Sequence, residues 1–250
     1  MNAELTERQR IEKLYHDEKF RDHSATSAQR RVERAFRHFW QVVGEPHDQT
    51  ILDFGCGDGW VSIALARQGN RVHGFDISES LLAIAKQKAA ALQIEDRVSF
   101  REMPAENLEY PAESFDLIIG TSILHHTELD PTLRNIGQVL KKHGTAVFLE
   151  PLNENIGLRI WRWLTPSRRS VTERALTAAD IERIRAIFPS TRFSYFCFSS
   201  MVTEGLLLMF PGSRFFKFVN DRLAALDEHL LRAVPALGQF SAVVVMEMRK

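Results

Sequence analysis

The stretch Leu52-Asp53-Phe54-Gly55-Cys56-Gly57-Asp58-Gly59 decides the fold of this chain. Its first residues complete a short buried strand that is predicted over Thr50-Ile-Leu-Asp-Phe54, and a helix is predicted from Trp60 to Gln68, so the glycines stand between a buried strand and a helix. Glycine lets the backbone turn tightly and lets a ligand approach it closely. The first turn of the helix also offers N–H groups without intrahelical partners. We therefore expect a ligand to lie over this loop.

Strand and helix patterns alternate after the loop. Strands are predicted at 71–76, 97–101, 115–120 and 146–150, with helices at 78–92 and 131–140 between them. Repeated β-α-β units of this length predict an α/β fold with a doubly wound, Rossmann-like, mostly parallel sheet and helices on both faces.

Three regions are predicted: an N-terminal helical cap over 1–44, a Rossmann-like core over 45–150 and an acceptor-binding or lid region over 151–250 that completes the sheet. In the cap, an apolar helical stripe is predicted at Ile11, Leu14, Tyr15, Val32, Ala35, Phe36 and Phe39. In the last region, a helix is predicted from 177 to 188 and long strands at 192–198 and 241–248. An apolar, largely helical insertion over 201–238 lies before the last strand.

The ligand of the glycine-rich loop is not predicted to be a dinucleotide. A G-x-G-x-x-G motif would require glycine at position 60, where this chain has Trp60. The carboxylate of Asp53 would repel a pyrophosphate, but it suits a ligand with an ammonium and a sulfonium group and no phosphate. Asp76, at the end of the next strand, can accept both hydroxyls of a ribose. These residues together predict S-adenosylmethionine as the bound methyl donor.

The same motifs resemble those of the class I S-adenosylmethionine-dependent methyltransferase superfamily. Asp53-x-Gly55-x-Gly57-x-Gly59 is similar to its first motif, Phe75-Asp76-Ile77-Ser78 to its second, 103–108 to its adenine-contacting loop, 114–118 to the start of its fourth motif and 139–144 to its "rvLkpGG" turn. This resemblance covers about residues 50–150. A looser one, over 120–126, 148–153 and 161–166, is to ubiquinone/menaquinone-type (methyltransferase type 11/12-like) bacterial enzymes.

The resemblance implies a set of donor-binding residues. They are Asp53, Gly55, Cys56, Gly57, Asp76, Ile77, Pro104, Ala105, Glu106 and Thr121. Adenine is expected near Ile77, with a backbone contact from Ala105. Pro104 departs from the family pattern, because many members have an acidic residue there that holds the adenine amino group.

The candidate catalytic residues follow the fourth and fifth strands. His125, His126 and Glu150 are expected to face the cleft because ligands lie at the carboxyl ends of parallel strands. Histidine can remove a proton near neutral pH, and His126 is the first choice for a general base, with His125 the second. Paired histidines also often bond loop backbone, and Glu150 is expected to hold a loop or orient a histidine. No metal is predicted, since the three residues lack a recognisable ligand spacing.

The acceptor region leaves alternatives open. The aromatic residues Trp161, Trp163, Phe193, Tyr195 and Phe196 and the 201–218 run either line an acceptor pocket or fill a second core. The arginines at 159, 162, 168 and 169 either meet an anionic acceptor or form a solvated face. The segment from Tyr15 to Phe20 either closes over the donor or packs as an ordinary amphipathic helix.

The predicted function is methyl transfer to a small-molecule acceptor, most readily at oxygen. The alternatives are carbon or nitrogen transfer to a lipid-like, quinone-like or glycan acceptor, and a non-catalytic nucleoside-binding module. The acceptor is expected to be apolar or anionic.

Charge and targeting features limit the partners. Lys plus Arg and Asp plus Glu both number 32, which disfavours nucleic acid. Cys56 and Cys197 form no disulfide framework, and with no signal peptide or membrane span evident, a cytoplasmic location is expected. The segment 205–218, apolar with Arg214 and Lys217, either contacts a bilayer interface or covers an apolar pocket. The oligomeric state is left open.

Overall fold

A computed structural model describes residues 5–19, 33–164, 170, 172–210 and 212–250. Its strands form one seven-stranded sheet in the order β3-β2-β1-β4-β5-β7-β6. The strands are β1 (Thr50–Phe54), β2 (Arg71–Asp76), β3 (Val98–Glu102), β4 (Phe115–Thr121), β5 (Leu140–Pro151), β6 (Arg192–Phe196) and β7 (Val243–Arg249). Strands β1 to β5 are parallel, and β7 is the one described strand that runs antiparallel to its neighbours, β5 and β6. The predicted α/β fold with a mostly parallel, Rossmann-like sheet is confirmed.

Helices cover both faces of the sheet. They are α1 (Glu7–Lys19), α2 (Glu33–Val43), α3 (Trp60–Arg67), α4 (Glu79–Ala91), α5 (Leu129–Val139), α6 (Ile156–Leu164), α7 (Ala178–Ile187), α8 (Met201–Met209) and α9 (Arg214–Ala233), with 3-10 turns at Leu124–His126 and Pro235–Phe240. The predicted cap of α4 is present, since the Leu81 N–H donates to Ser78 Oγ over 3.3 Å. The structure adds one helix that the sequence did not predict, α6, and it begins β5 at Leu140 rather than at residue 146.

Alternation along the strands builds a separate core on each face. Leu52, Phe54 and Phe148 point to one face, and Ile51 and Val147 to the other. Helix α2 covers the second face, where Ala35 and Phe39 are fully buried and Phe36 packs beside them. The predicted apolar stripe is therefore confirmed for this helix; Val32 lies outside the described residues.

Within α1 the predicted stripe is wrong at Leu14, whereas Ile11 and Tyr15 are half-buried. Leu14 is 62% exposed, whereas Glu12 on the opposite side of the helix is only 4% exposed. The reason is the surface that α1 covers. It lies on polar loops at the carboxyl edge of the sheet, so its polar face finds hydrogen-bond partners there and its apolar Leu14 turns outward.

The sheet gathers its loops at one edge. Because β5 and β6 both run antiparallel to β7, they end at the same edge as β1, β2 and β4. Helices α6 and α8 begin just beyond these ends, so residues after 151 lie beside the loops of the core. Among the described helices, none is long and apolar enough to cross a membrane.

Candidate active site

Three glycines of the loop after β1 have left-handed backbone conformations. Gly55, Gly57 and Gly59 have φ of 69°, 53° and 76°, values that side chains disfavour. A Cβ at Gly55 would lie 2.6 Å from Ile123, and one at Gly59 would lie 2.7 Å from Ala85. A Cβ at Gly57 would have no heavy atom within 4 Å. The loop is thus packed on its protein side and open above Gly57, which fits a donor molecule lying against the backbone there.

Asp76 holds this loop in place from the end of β2. Its Oδ2 accepts the Gly57 N–H over 2.9 Å, and its Oδ1 accepts the Ser78 N–H over 2.9 Å. A carboxylate oxygen has two lone pairs, so each keeps one for a further donor such as a ribose hydroxyl. The half-buried Ile77 follows directly. This geometry is compatible with the predicted role of Asp76, which is to accept the hydroxyls of a ribose.

Asp53 and Cys56 lie below the loop rather than on its surface. Asp53 is 4% exposed, and its Oδ2 accepts the Ser62 hydroxyl over 2.5 Å. Burial raises the pKa of Asp53 to about 7, because the charged form is poorly solvated there. Burial also raises the pKa of the Cys56 thiol, and the Cys56 N–H donates to the Phe75 carbonyl over 2.8 Å. Their donor contacts stay predictions.

The loop after β3 lies beside α5 and α1. Ala105 is buried, and its carbonyl accepts from Asn135 over 3.2 Å, while Pro104 is half-buried. Glu106 accepts the Glu128 N–H over 2.9 Å, and its other oxygen accepts from Gln9 over 2.9 Å. These contacts use the Glu106 carboxylate to join α1 to the core. Thr121 is half-buried at the end of β4.

Helix α1 crosses the carboxyl edge with one polar face toward the loops. Lys13 pairs with Glu102 at the end of β3. Asp17 accepts the hydroxyls of Ser78 and Ser80 over 2.5 and 2.8 Å. The nine residues from Gln9 to Asp17 span about 12 Å of helix, enough to reach from Glu106 to the start of α4. The lid arrangement expected for the segment from Tyr15 fits these contacts, whereas Phe20 lies outside the described residues.

Glu12 of α1 contacts the candidate base directly. Its Oε2 lies 3.0 Å from His126 Nδ1, and its Oε1 accepts from Ser170 over 2.6 Å and from Thr172. Burial raises the pKa of Glu12, but the hydrogen bonds and charge of His126 and the two hydroxyls outweigh burial and lower it to about 2. Burial lowers the pKa of His126 below its ordinary value. The pair is therefore a carboxylate and a neutral imidazole at pH 7, with Nδ1–H donating to Glu12.

His125 and Glu150 form a second, deeper pair. Glu150 Oε1 accepts the N–H groups of Ile123 and Leu124, both over 2.8 Å, and its Oε2 lies 2.7 Å from His125 Nδ1. Burial raises the pKa of Glu150 to about 7 and lowers that of His125 to about 4. Both side chains are buried. This pair fixes the 3-10 turn that carries His126.

Residues that sequence reasoning missed surround these histidines. His125 Nε2 lies 3.9 Å from Glu173 Oε1, which also accepts from Arg162 over 2.9 Å. His16 Nε2 lies 3.8 Å from Glu12 Oε2. Within the described residues, two groups, Glu12–His16–His126 and His125–His126–Glu173, have ligand atoms within 4.8 Å of one another and could hold a metal ion. The detectable signal was the polar helical spacing of α1, at positions 9, 12, 13, 16 and 17.

The candidate acceptor residues separate into different environments. Phe193 and Tyr195 pack against one core and Phe196 against the other. Trp163 is 78% exposed, so it belongs to neither a core nor a closed pocket. Arg159 is exposed, and Arg162 is paired as described above. The side chain of Trp161 and residues 168 and 169 lie outside the described part of the chain.

Sequence comparison places the core in a known family. Residues 51–144 match a family described as a methyltransferase domain. The chain is 35% identical over 117 residues to the ubiquinone biosynthesis O-methyltransferase of Leptothrix cholodnii, which covers 46% of this chain and 49% of that protein. It is 32% identical over 114 residues to the methyltransferase GfsG of Streptomyces halstedii, covering 45% of this chain and 41% of that one. The chain thus spans less than half the length of these curated relatives.

Structure comparison finds a similar Rossmann-like fold in a solved methyltransferase. Geranyl diphosphate C-methyltransferase from Streptomyces coelicolor A3(2), solved with Mg²⁺, geranyl diphosphate and S-adenosyl-L-homocysteine, matches 100% of both chains with a TM-score of 0.68 and 14% sequence identity. At that identity the likeness shows the fold alone. The chain therefore has a Rossmann-like fold that it shares with a solved methyltransferase. Residues 51–144, which make up less than half of the chain, match the methyltransferase domain family.

Proposed function

We propose that this chain transfers the methyl group of S-adenosylmethionine to an oxygen of a small-molecule acceptor, with His126 receiving the acceptor's proton. The observation that carries the proposal is the hydrogen-bonded pair of Glu12 and His126, just beyond β4. The O-methyltransferases among the relatives are consistent with oxygen as the acceptor atom. The C-methyltransferase fold neighbour makes carbon the alternative.

The proposed chemistry needs few groups from the protein. S-adenosylmethionine would supply an electrophilic methyl group on its sulfonium. As the acceptor oxygen attacks that carbon in line, the carbon–sulfur bond would break and S-adenosylhomocysteine would leave. Asp76 and the loop at Gly57 hold the donor's position, which lowers the entropic cost of bringing the reactants together. Since Nδ1–H of His126 is directed to Glu12, Nε2 keeps the lone pair that takes the hydroxyl proton.

His125 and Glu150 act in this proposal as positioning residues. The Glu150 carboxyl receives two backbone N–H groups of the turn and the His125 ring. Three contacts on one buried group hold the turn rigidly, so His126 at its end keeps a fixed orientation. Neither buried residue has to touch the acceptor.

The test is a screen for release of S-adenosylhomocysteine. Wild-type protein is incubated with a panel of phenols, catechols, aliphatic alcohols, amines and carbon acids, and active acceptors are tested again with His126→Ala. A hydroxyl acceptor should lose about 10²–10⁴-fold in kcat in this variant, with donor affinity by calorimetry nearly unchanged. His143→Ala, which removes an exposed histidine at the opposite edge of the sheet, is the matched control. Full activity of His126→Ala would end the base role, and donor binding without turnover on any acceptor would favour the non-catalytic module.

The same experiment should also test whether turnover depends on a metal ion. Glu12, His16 and His126 could hold an ion, and an ion there would occupy His126 and bind the acceptor oxygen in place of a base. Turnover that survives EDTA supports proton removal by His126. Turnover that EDTA abolishes and Zn²⁺ or Mg²⁺ restores would make the three residues ligands instead.

A further inference from the structure

Large apolar side chains project into solvent along one face of α6. Ile156, Ile160 and Trp163 are 72%, 53% and 78% exposed. Their spacing of four and three residues places them on a single helical stripe, and Arg159 lies within it. The helix is therefore amphipathic with its apolar stripe turned away from the protein.

In the first half of α9, large apolar side chains likewise face solvent instead of the protein. Phe215 and Phe218 are 69% and 57% exposed, and Phe210, in the turn that leads into α9, is 51% exposed. The opposite face of α9 carries the buried Asn220 and Ala224, so the phenylalanines are not needed for packing against the protein. Both α6 and α9 contact α8, which lies between them. Single exposed apolar residues are ordinary, but two neighbouring stripes indicate a binding surface.

The same faces carry positive charge. Arg159, Arg214, Lys217 and Arg222 are all exposed, and Arg222 lies 5.1 Å above the ring of Phe218. Among the ion pairs of the described residues, none involves any of these four cations. The acidic neighbour Asp221 pairs with Arg34 of α2 over 3.5 Å, so its charge is partly neutralised. These stripes therefore combine apolar area with net positive charge.

Asn155 helps to fix the position of the two apolar stripes in the fold. Its Nδ2 donates to the carbonyls of Phe198 and Phe240 over 3.0 and 2.8 Å. This ties the start of α6 to the segments that follow β6 and precede β7. The two stripes thus belong to the same edge of the sheet as the candidate active site.

We propose that these outward faces of α6 and α9, with Phe210, form an apolar–basic surface that docks the protein onto a bilayer containing anionic lipids. A helix with large apolar residues flanked by Lys and Arg lies in the bilayer interface, where its side chains enter the acyl boundary and its cations meet lipid phosphates. A second copy of the chain is the less suitable occupant. A two-fold interface would place the positive stripe against itself. The docking proposal does not depend on the acceptor or on the role of His126.

The test is sedimentation of the full chain with vesicles of phosphatidylcholine alone and of phosphatidylcholine with phosphatidylglycerol. We expect binding to the anionic vesicles that weakens as salt is added. Arg214→Glu/Lys217→Glu should weaken the partition coefficient about fivefold or more for each cation removed. Phe215→Ser/Phe218→Ser and Ile160→Ser/Trp163→Ser should each weaken it tenfold or more. Each variant should bind S-adenosylmethionine with wild-type affinity, which shows that it is folded.

The matched controls lie at the opposite edge of the sheet. Leu92→Ser/Ile187→Ser removes two apolar residues that are 47% and 40% exposed there, and Lys142→Glu reverses an exposed charge. Both should bind vesicles as the wild type does. The proposal is overturned if wild type does not bind anionic vesicles, or if any of the three surface variants binds them normally. It is also overturned if light scattering shows a dimer that the phenylalanine variant dissociates while vesicle binding is unchanged.

Discussion

Glu12 Oε2 lies 3.0 Å from His126 Nδ1, although 114 positions separate the two residues in the chain. The contact joins α1 to the turn after β4, and Asp17 on the same helix face joins α1 to the start of α4. One helix therefore contacts both the loops that we propose bind the donor and the turn that carries the proposed base. The base that we propose is complete only when α1 is docked.

Removal of the Asp76 carboxylate should weaken donor binding. Charge-assisted hydrogen bonds contribute on the order of 1.5–3 kcal/mol each, so Asp76→Ala should raise the donor Kd about 100-fold or more. Because Asp76 also accepts the Gly57 and Ser78 N–H groups, Asp76→Asn is the control that keeps part of this support. Calorimetry on both variants is the measurement. An unchanged affinity in the alanine variant would place the donor elsewhere.

A side chain at Gly57 should block the donor without unfolding the protein. The backbone has φ of 53°, and a Cβ there would have no heavy atom within 4 Å, so the main cost of Gly57→Val is about 1–3 kcal/mol of backbone strain. Gly44→Val is a close control, since Gly44 has φ of 71° and equally open space before β1. Both variants should lose similar thermal stability. Only Gly57→Val should lose donor binding, and retention of normal affinity would contradict the loop assignment.

Glu150 should give the protein a stability that falls as pH rises. The ordinary pKa of its carboxyl is 4.5, and burial raises it to about 7 in the folded protein. Between these values the unfolded chain has lost a proton that the folded protein keeps, so the free energy of unfolding decreases with rising pH. His125, whose pKa burial lowers to about 4, produces the opposite slope below pH 6.5. The two slopes partly cancel in the wild type.

Glu150→Gln isolates that contribution. Glutamine keeps an acceptor for the Ile123 and Leu124 N–H groups but has no proton to lose. The free energy of unfolding of the variant minus that of the wild type should therefore increase between pH 4.5 and 7, by about 2–3 kcal/mol, and level off above pH 7. Urea denaturation of both proteins across pH 4.5–8.5 measures it. Parallel curves would show that Glu150 ionises normally in the folded protein.

The core of the fold was predictable because its signals are local. The glycines at 55, 57 and 59 set the backbone of their own loop, Asp76 accepts the N–H of Ser78 two residues on, and the alternating strands and helices repeat at short range. The boundaries of β2 and the cap of α4 at Ser78 follow from such neighbours. The structure of this part of the chain could therefore be predicted without information about the rest of the chain.

The contacts of α1 and α6 were not predictable in the same way. Ile11, Leu14 and Tyr15 have core-like spacing, but α1 docks on polar loops, so Glu12 is buried and Leu14 is exposed. Which face is buried depended on a surface formed by distant loops. On α6, Trp163 was expected in a pocket or a core, and only the packing of α6 against the protein shows that it faces outward.

The last prediction concerns Glu12 as the residue that positions His126. Its carboxylate lowers the energy of the imidazolium that forms when His126 takes a proton, and it holds the tautomer with Nδ1–H. In Glu12→Gln the charge is gone, and the amide N–H can donate to Nδ1 and leave the proton on Nε2. We expect kcat to fall by 10²-fold or more, within the about 10²–10⁴-fold range of general-base catalysis. The acidic limb of the kcat/KM profile should move to lower pH, because a histidine without its carboxylate is a weaker base.

Two variants serve as controls for the Glu12 prediction. Glu12→Asp should restore part of the rate. Gln9→Ala, which breaks the α1 contact to Glu106 instead, should leave the position of that limb unchanged. The measurement is kcat/KM against pH for the wild type and all three variants, with the donor Kd measured in parallel. If Glu12→Gln only lowers thermal stability and donor affinity while the acidic limb stays in place, Glu12 merely fastens α1 to the protein.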